Sequence, residues 1–392
     1  MPERISDAPW LFWLLEGLHR AQAGLLQLLY ALGLVHAVDG QPAWPWAQRM
    51  AGENLLLDLG LARQLLWSLV AMVLAVTLLL LACGWRRGRP WLLLGALAVV
   101  LLASWPQSRL VLAPAVPSSF HRNPLPFSDA AIVQGAGHYQ RLCLHCHGAA
   151  GNGQGADAGR QPIWPPSFVG PLLWRRADGE LLHAVRHGLQ DHQGRQTMPG
   201  FATQLTLEQS WALLHFLRAQ AAGELLRASG NWGQPIALPD MPLRCHRPDK
   251  QQVSDWQGQR LRLVSAAHPQ DLLPDPRMVT LWLPPPGQGR GAVPDQVDCV
   301  ITSGAVAQQA LGWVQAGDSE ALGNVQLLAD KAGWLRARNN RDAESWSDED
   351  LLCRTTDSTA APADVAEDGL TRILRRMDME PLGYVRGGRV HQ

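Results

Sequence analysis

Five consecutive residues carry the most specific chemistry in the chain: Cys143-Leu144-His145-Cys146-His147. Two thiols lie one helical turn apart, and an imidazole follows directly. This C-x-x-C-H pattern is the attachment signature of c-type haem. The thiols add to the two vinyl groups of a porphyrin, and the histidine meets the iron. Zinc would want a second ligand pair at metal spacing, and none stands near. A redox dithiol would use both cysteines but would leave His147 without a role. The residues therefore point to one covalent haem c, held by Cys143 and Cys146 with His147 on the iron.

Elements must position that turn. Ser128 is a fitting N-cap for a helix over Asp129–Leu142, which ends at the motif. Thr206 and Gln209 form a capping box ahead of Leu207–Arg218. Between them lie a glycine-rich loop from Gly148 to Gly159 and the pair Pro165-Pro166.

Together these features resemble a class I cytochrome c domain over about residues 126–222. Gly135 and Tyr139 keep the family's G-x-x-x-Y spacing, and Gly148 follows the haem histidine. Asp178–Gly188 is similar to the family's middle helix and its closing glycine. Gln196-Thr197-Met198-Pro199 is similar to its "MP" loop, and Leu207–Arg218 to its last helix. The resemblance implies an all-α domain with Met198 as sixth iron ligand. His183, His187 and His192 are the competing side chains. It also implies a proline carbonyl that accepts from the proximal imidazole; Pro165 is the candidate, with Pro166 open. A soft thioether stabilises ferrous iron, and a saturated iron suits single-electron transfer better than catalysis.

Composition sets the frame. The 34 basic and 34 acidic residues cancel, so no nucleic-acid partner is expected. Only 17% of residues are charged, below the roughly 25% of soluble proteins. The mean hydropathy of −0.08 averages unlike parts. Leu65–Trp85 and Pro90–Ser108 carry no charge, and a spanning helix needs about 20 such residues. Spans are expected over about 65–85 and 90–107, with a candidate third over 21–38. Arg86-Arg87-Gly88-Arg89 joins the first two and should stay cytoplasmic. Everything after about Leu110 then lies outside the cytoplasm, where bacteria attach haem to C-x-x-C-H. The expected location is a bacterial inner membrane, with the rest of the chain in the periplasm. No cleavable signal peptide is read at the N-terminus.

Residues 1–113 thus read as a membrane region in the lipid bilayer, and 114–125 as a proline-rich linker. The run Ser118–Ala130 is similar to fusions of a copper-resistance protein D type membrane domain to cytochrome c. Most of that membrane domain would be missing here, and no Met- or His-rich copper cluster is seen. His19 and His36 stand about 25 Å apart along a helix, too far to share one iron. A plain anchor is the expectation.

After a second linker, 223–242, residues 243–392 read as α/β. Arg260–Ala267, Met278–Leu283 and Gln296–Thr302 read as strands and Gly304–Val314 as a helix. A hairpin over Val325–Arg338 and a helix over Ala363–Met377 follow. This order resembles the second half of a thioredoxin-like fold, with Leu327–Arg338 as its hairpin. C-x-x-C is absent, so dithiol exchange is not expected. Cys245, Cys299 and Cys353 allow three pairings for one disulfide. The fold class is multidomain: a transmembrane helical anchor, an all-α cytochrome c domain and a thioredoxin-like α/β domain. The expected role is a membrane-anchored electron carrier that meets redox partner proteins in the periplasm or inner membrane. The alternatives are a haem subunit of a membrane dehydrogenase or oxidase complex, and a copper-homeostasis protein with a haem module.

Overall fold

The computed structural model describes residues 9–55, 58–170, 172–289, 291–315, 325–339, 345–353, 368–385 and 388–390. Two units emerge, one built mainly from residues up to Phe120, the other from His121 to Tyr384.

The first unit has three long helices, α1 (Pro9–Ala31), α2 (Leu59–Gly84) and α3 (Arg89–Leu102). Asp58 caps α2, its carboxylate accepting from the Leu61 N–H at 3.0 Å. Among the described residues α2 is the one helix long and apolar enough to cross a membrane. At 14 residues α3 is short for a span. It is tied to α2 by the Ser68 hydroxyl, which donates to the Ser104 carbonyl at 3.0 Å. Trp67, Val73, Leu80 and Leu81 project from α2 and are exposed. The run 21–38 is not one helix. α1 stops at Ala31, and Ala37–Val38 folds back on Gln41–Pro42. The turn is Asp39-Gly40, both at positive φ, a pair that favours a tight hairpin over helix continuation. Leu11 and Leu15 of α1 bury their side chains against Leu55, Leu61, Leu65 and Val111.

The second unit starts with α4 (Asp129–Leu142), then α5 (Asp178–His187) and α6 (Leu207–Ser229). Ser128 caps α4, and Thr206 with Gln209 forms the reciprocal capping box of α6. α6 crosses α4 where Gly135 removes a side chain. A Cβ there would lie 2.3 Å from the Ala212 carbonyl oxygen. Beside this crossing the Tyr139 and Phe216 rings meet at 5.2 Å.

α6 continues past Arg218, the expected end, and stops only at Ser229, with Gly230 in the left-handed region. Helix α7 (Ala305–Gln315) packs on it; Trp313 meets Phe216 edge-on at 5.0 Å. α7 belongs to a six-stranded sheet built from β1 (Leu243–Cys245), β2 (Leu261–Ser265), β3 (Val279–Leu283), β4 (Cys299–Ile301), β5 (Gln326–Ala329) and β6 (Leu335–Arg338). The order is β6-β5-β2-β3-β4-β1. β2, β3 and β4 are parallel, while β5, β6 and β1 pair antiparallel with their neighbours. Asp330 builds the β5–β6 turn, accepting from the Ala332 and Trp334 N–H groups. The last helix, α8 (Gly369–Met379), is capped by Asp368; residues 363–367 of the expected helix lie outside the described residues.

The glycine- and proline-rich stretch after α6 is no free tether. Trp232, Ile236, Leu238 and Met241 are buried. The Leu238 N–H donates to the Gly333 carbonyl, and the Asp240 N–H to that of Phe127. The Trp232 indole donates to the Val314 carbonyl at 3.0 Å. One core therefore runs from Ile132 and Tyr139 through Phe216 to Leu281 and Leu311. Cys245 and Cys299, directly opposed across β1 and β4, form the disulfide. Cys353 is buried and outside it.

Candidate functional site

α4 delivers the chain to Cys143, and one short turn, Leu144–His147, follows before Gly148 closes it at positive φ. The Tyr139 hydroxyl donates to the Gly148 carbonyl at 2.6 Å. Cys143 and His147 are buried, Cys146 is half-buried and His145 is exposed. Cys143, Cys146 and His147 thus come together on one turn whose entry is set by the α4–α6 crossing. Burial and then the neighbouring Cys146 push the Cys143 thiol up to about 12. A thiol held so far from its thiolate is a poor redox nucleophile.

The imidazole of His147 lies on the ring of Phe168, with centroids 4.4 Å apart and planes 23° from parallel. The Phe168 N–H donates to the Gly151 carbonyl at 2.7 Å. Gln220, reaching from α6, donates to the Ala149 carbonyl. These contacts strap the glycine-rich loop over the histidine. Gln161 brings its amide within 3.6 Å of the Cys146 sulfur. The Nδ1 atom of His147 is buried and makes no hydrogen bond of ordinary geometry. Burial lowers the pKa of this ring, and the Pro166 carbonyl acts in the opposite sense. The Pro165 carbonyl faces Gly153 instead, where a Cβ would lie 2.2 Å from it.

Met198 ends a short strand, Gln196–Met198, that pairs with Leu189–Gln190. It is half-buried against the core that contains Cys143. Asp191 fixes the connecting turn: its carboxylate accepts from the Gln193 and Arg195 N–H groups and pairs with the Arg195 guanidinium at 2.8 Å. Gly188 lets the strand approach α5, since a Cβ at that residue would sit 2.4 Å from the Met198 carbonyl oxygen. The loop is therefore a pinned hairpin, which sequence reading did not foresee. Of the rival histidines, His183 and His187 sit side by side on α5, and His192 is exposed on the hairpin turn.

His215 was not singled out from the sequence. It is buried in α6, 3.0 Å from the Asn123 amide and 3.1 Å from the Leu125 carbonyl. Burial lowers its pKa to about 4, against the opposing Leu125 carbonyl. His215 and Gln220 shared one faint signal: polar residues inside a helix buried almost all round.

The arrangement fits a haem c. It offers two thiols and a buried imidazole on one turn, and the ring's inner nitrogen lacks a hydrogen bond. Ile163 and Trp164, just before the prolines, present exposed apolar side chains that a porphyrin-sized group could cover. Among the described residues no group of three or more His, Cys, Asp or Glu side chains forms a separate metal site.

Comparison with known proteins meets this geometry at the same residues. The family described as cytochrome C oxidase, cbb3-type, subunit III, matches residues 130–217. The chain thus contains a cytochrome c domain, which implies covalent haem c and electron transfer. Among solved structures, a chain of the reducing HAO-like protein complex of Kuenenia stuttgartiensis is similar at 25% identity, with a TM-score of 0.23. The match covers 32% of this chain and 59% of that one. No curated protein matches the chain.

Proposed function

We propose that the protein is a membrane-anchored c-type cytochrome that carries single electrons on the periplasmic side of an inner membrane. One haem would be held by Cys143 and Cys146 through thioether bonds, with His147 and Met198 supplying the side chains for its iron. The observation that carries this reading is the Cys143–His147 turn, buried at the end of α4 inside the matched cytochrome region. When bound, the haem supplies a one-electron iron couple.

The chain's own groups do the rest. Cys143 and Cys146 would tether the haem, and His147 would offer one nitrogen outward while a small turn of the ring would let its Nδ1–H donate to the Pro166 carbonyl. That hydrogen bond fixes the tautomer and raises the ring's basicity. Phe168 limits rotation of the imidazole, and Gln220 holds the loop that covers it. Met198 stands on a hairpin pinned by Asp191, so the two side chains that would hold the iron, His147 and Met198, both stand on hydrogen-bonded backbone. Such a scaffold would limit reorganisation when the bound iron gains or loses an electron.

Two observations support the setting. The apolar outer face of α2 has no cover of its own in water, which favours a bilayer around it. The Cys245–Cys299 disulfide suits an oxidising compartment. The strand order β3-β2-β5-β6, with α7 before the hairpin and α8 after it, supports a thioredoxin-like reading of the tail. Its lack of C-x-x-C and its shared core with the cytochrome helices favour a structural role there. A second reading, a haem subunit of an oxidase-type complex, is favoured by the description of the matched family.

Met198→Ala tests the axial assignment. The weak sulfur-to-iron absorption at the red end of the ferric spectrum should vanish, and the reduced haem should bind carbon monoxide. An unchanged band would remove Met198 from the iron. Co-migration of the native chain with further subunits on a native gel would select the second reading.

A further inference from the structure

α5 carries two imidazoles that electron transfer leaves unused. His183 and His187 are four residues apart, so they lie on one helix face, one turn above the other. Their ring centroids are 4.6 Å apart and their planes 39° from parallel. Consider two imidazoles bound to one ion through nitrogens about 2.0 Å from it, at an angle between square and tetrahedral. Their centroids would be roughly 4.5–5.1 Å apart. The pair therefore stands at chelating distance before any ion arrives.

The scaffold under the pair is stiff. Asp178, at the start of α5, is paired with Arg218 of α6. Gly188 ends the helix against the Met198 carbonyl. His187 is exposed and His183 half-buried, so an ion can enter from solvent and keep water on its remaining positions. Glu180 lies three residues before His183 on the same side and contributes negative charge.

We propose that His183 and His187 bind one divalent transition cation, Cu2+ most tightly and Zn2+ less so. Imidazole is a borderline ligand that suits both ions, and a pair of imidazole nitrogens follows the general affinity order that peaks at Cu2+. The site rides on the residue before Gly188, so a bound ion sits at the foot of the methionine hairpin. The site rests on the reading above in which Met198, and neither of these histidines, meets the iron.

The test uses the full-length haem-loaded chain, purified in detergent without a histidine tag. Cu2+ is titrated calorimetrically and followed by electron paramagnetic resonance, then Zn2+ is added as competitor. The expected result is one Cu2+ per chain with nitrogen couplings, displaced by excess Zn2+. His183→Gln or His187→Gln should each weaken it at least about tenfold. His192→Gln, on the neighbouring exposed turn, should leave it unchanged. An unaltered haem spectrum in each variant shows that the fold survived. Identical titrations for the native chain and both variants, or no Cu2+ uptake by the native chain, would overturn the site.

Discussion

At the residue scale, Phe168 does for His147 what the five-residue motif cannot. A ring stacked at 4.4 Å on the imidazole restricts its rotation and shields it from water. Phe168→Leu keeps bulk but removes the flat face. The haem should still be attached and still show its sulfur-to-iron band. The ferric resonance spectrum should broaden and shift as the imidazole plane becomes less defined. Spectra superimposable on the native ones would deny Phe168 a positioning role. Much of the site at this scale was legible in the sequence. Cys143, Cys146 and His147 are readable because covalent attachment fixes their spacing. Phe168 and Gln220 are not, because they reach the histidine only through tertiary folding. Pro165 and Pro166 are not separable from the sequence, since successive carbonyls of an extended chain point in opposite directions and spacing alone does not say which faces the ring.

At the element scale the α4–α6 crossing governs where the motif turn begins. Gly135 leaves no room for a side chain against the Ala212 carbonyl, which belongs to backbone and cannot rotate away. Gly135→Val should cost about 1–3 kcal/mol, the usual range for overpacking. It should lower the urea midpoint of the haem-loaded chain without changing the slope. An unshifted midpoint would mean that the helices meet elsewhere. α4 and the α6 capping box were legible because caps and apolar period agree there. The far end of α6 was not. Once a helix is buried on nearly every side, as from Ser210 to Gly223, the 3.6-residue contrast fades. The stretch after it looked like a linker because Gly and Pro break regular structure. Its apolar residues, Trp232, Ile236, Leu238 and Met241, nonetheless fill the seam between the cytochrome helices and the sheet.

At the scale of the whole molecule, the segment entering the second unit is held to α6 through a neutral histidine. The His215 Nε2 atom lies 3.0 Å from the Asn123 amide nitrogen and 3.1 Å from the Leu125 carbonyl, in a buried site that lowers its pKa from 6.5 to about 4. For a base with a lowered pKa, the unfolded chain binds more protons in the window between the two values. Stability is therefore full above about pH 6.5 and falls as the pH drops toward 4, by on the order of 3 kcal/mol. His215→Gln should flatten that window in denaturation curves taken from pH 7 to pH 4. A variant that keeps the native acid slope would assign the loss to other groups. The division into an apolar first part and a polar remainder was legible from charge alone. The joining of cytochrome helices and sheet into one core was not, because it depends on pairs such as Phe216 and Trp313 that are remote in sequence.

The most direct measurement is whether haem stays on the chain after denaturation. The purified protein should retain one haem through acid-acetone extraction and a denaturing gel. Its reduced pyridine complex should have the α-band of a porphyrin with two thioether links. Cys143→Ser combined with Cys146→Ser should remove the pigment from the gel band. Haem that washes out of the native chain, or a band that survives the double substitution, would contradict a cytochrome built on Cys143, Cys146 and His147.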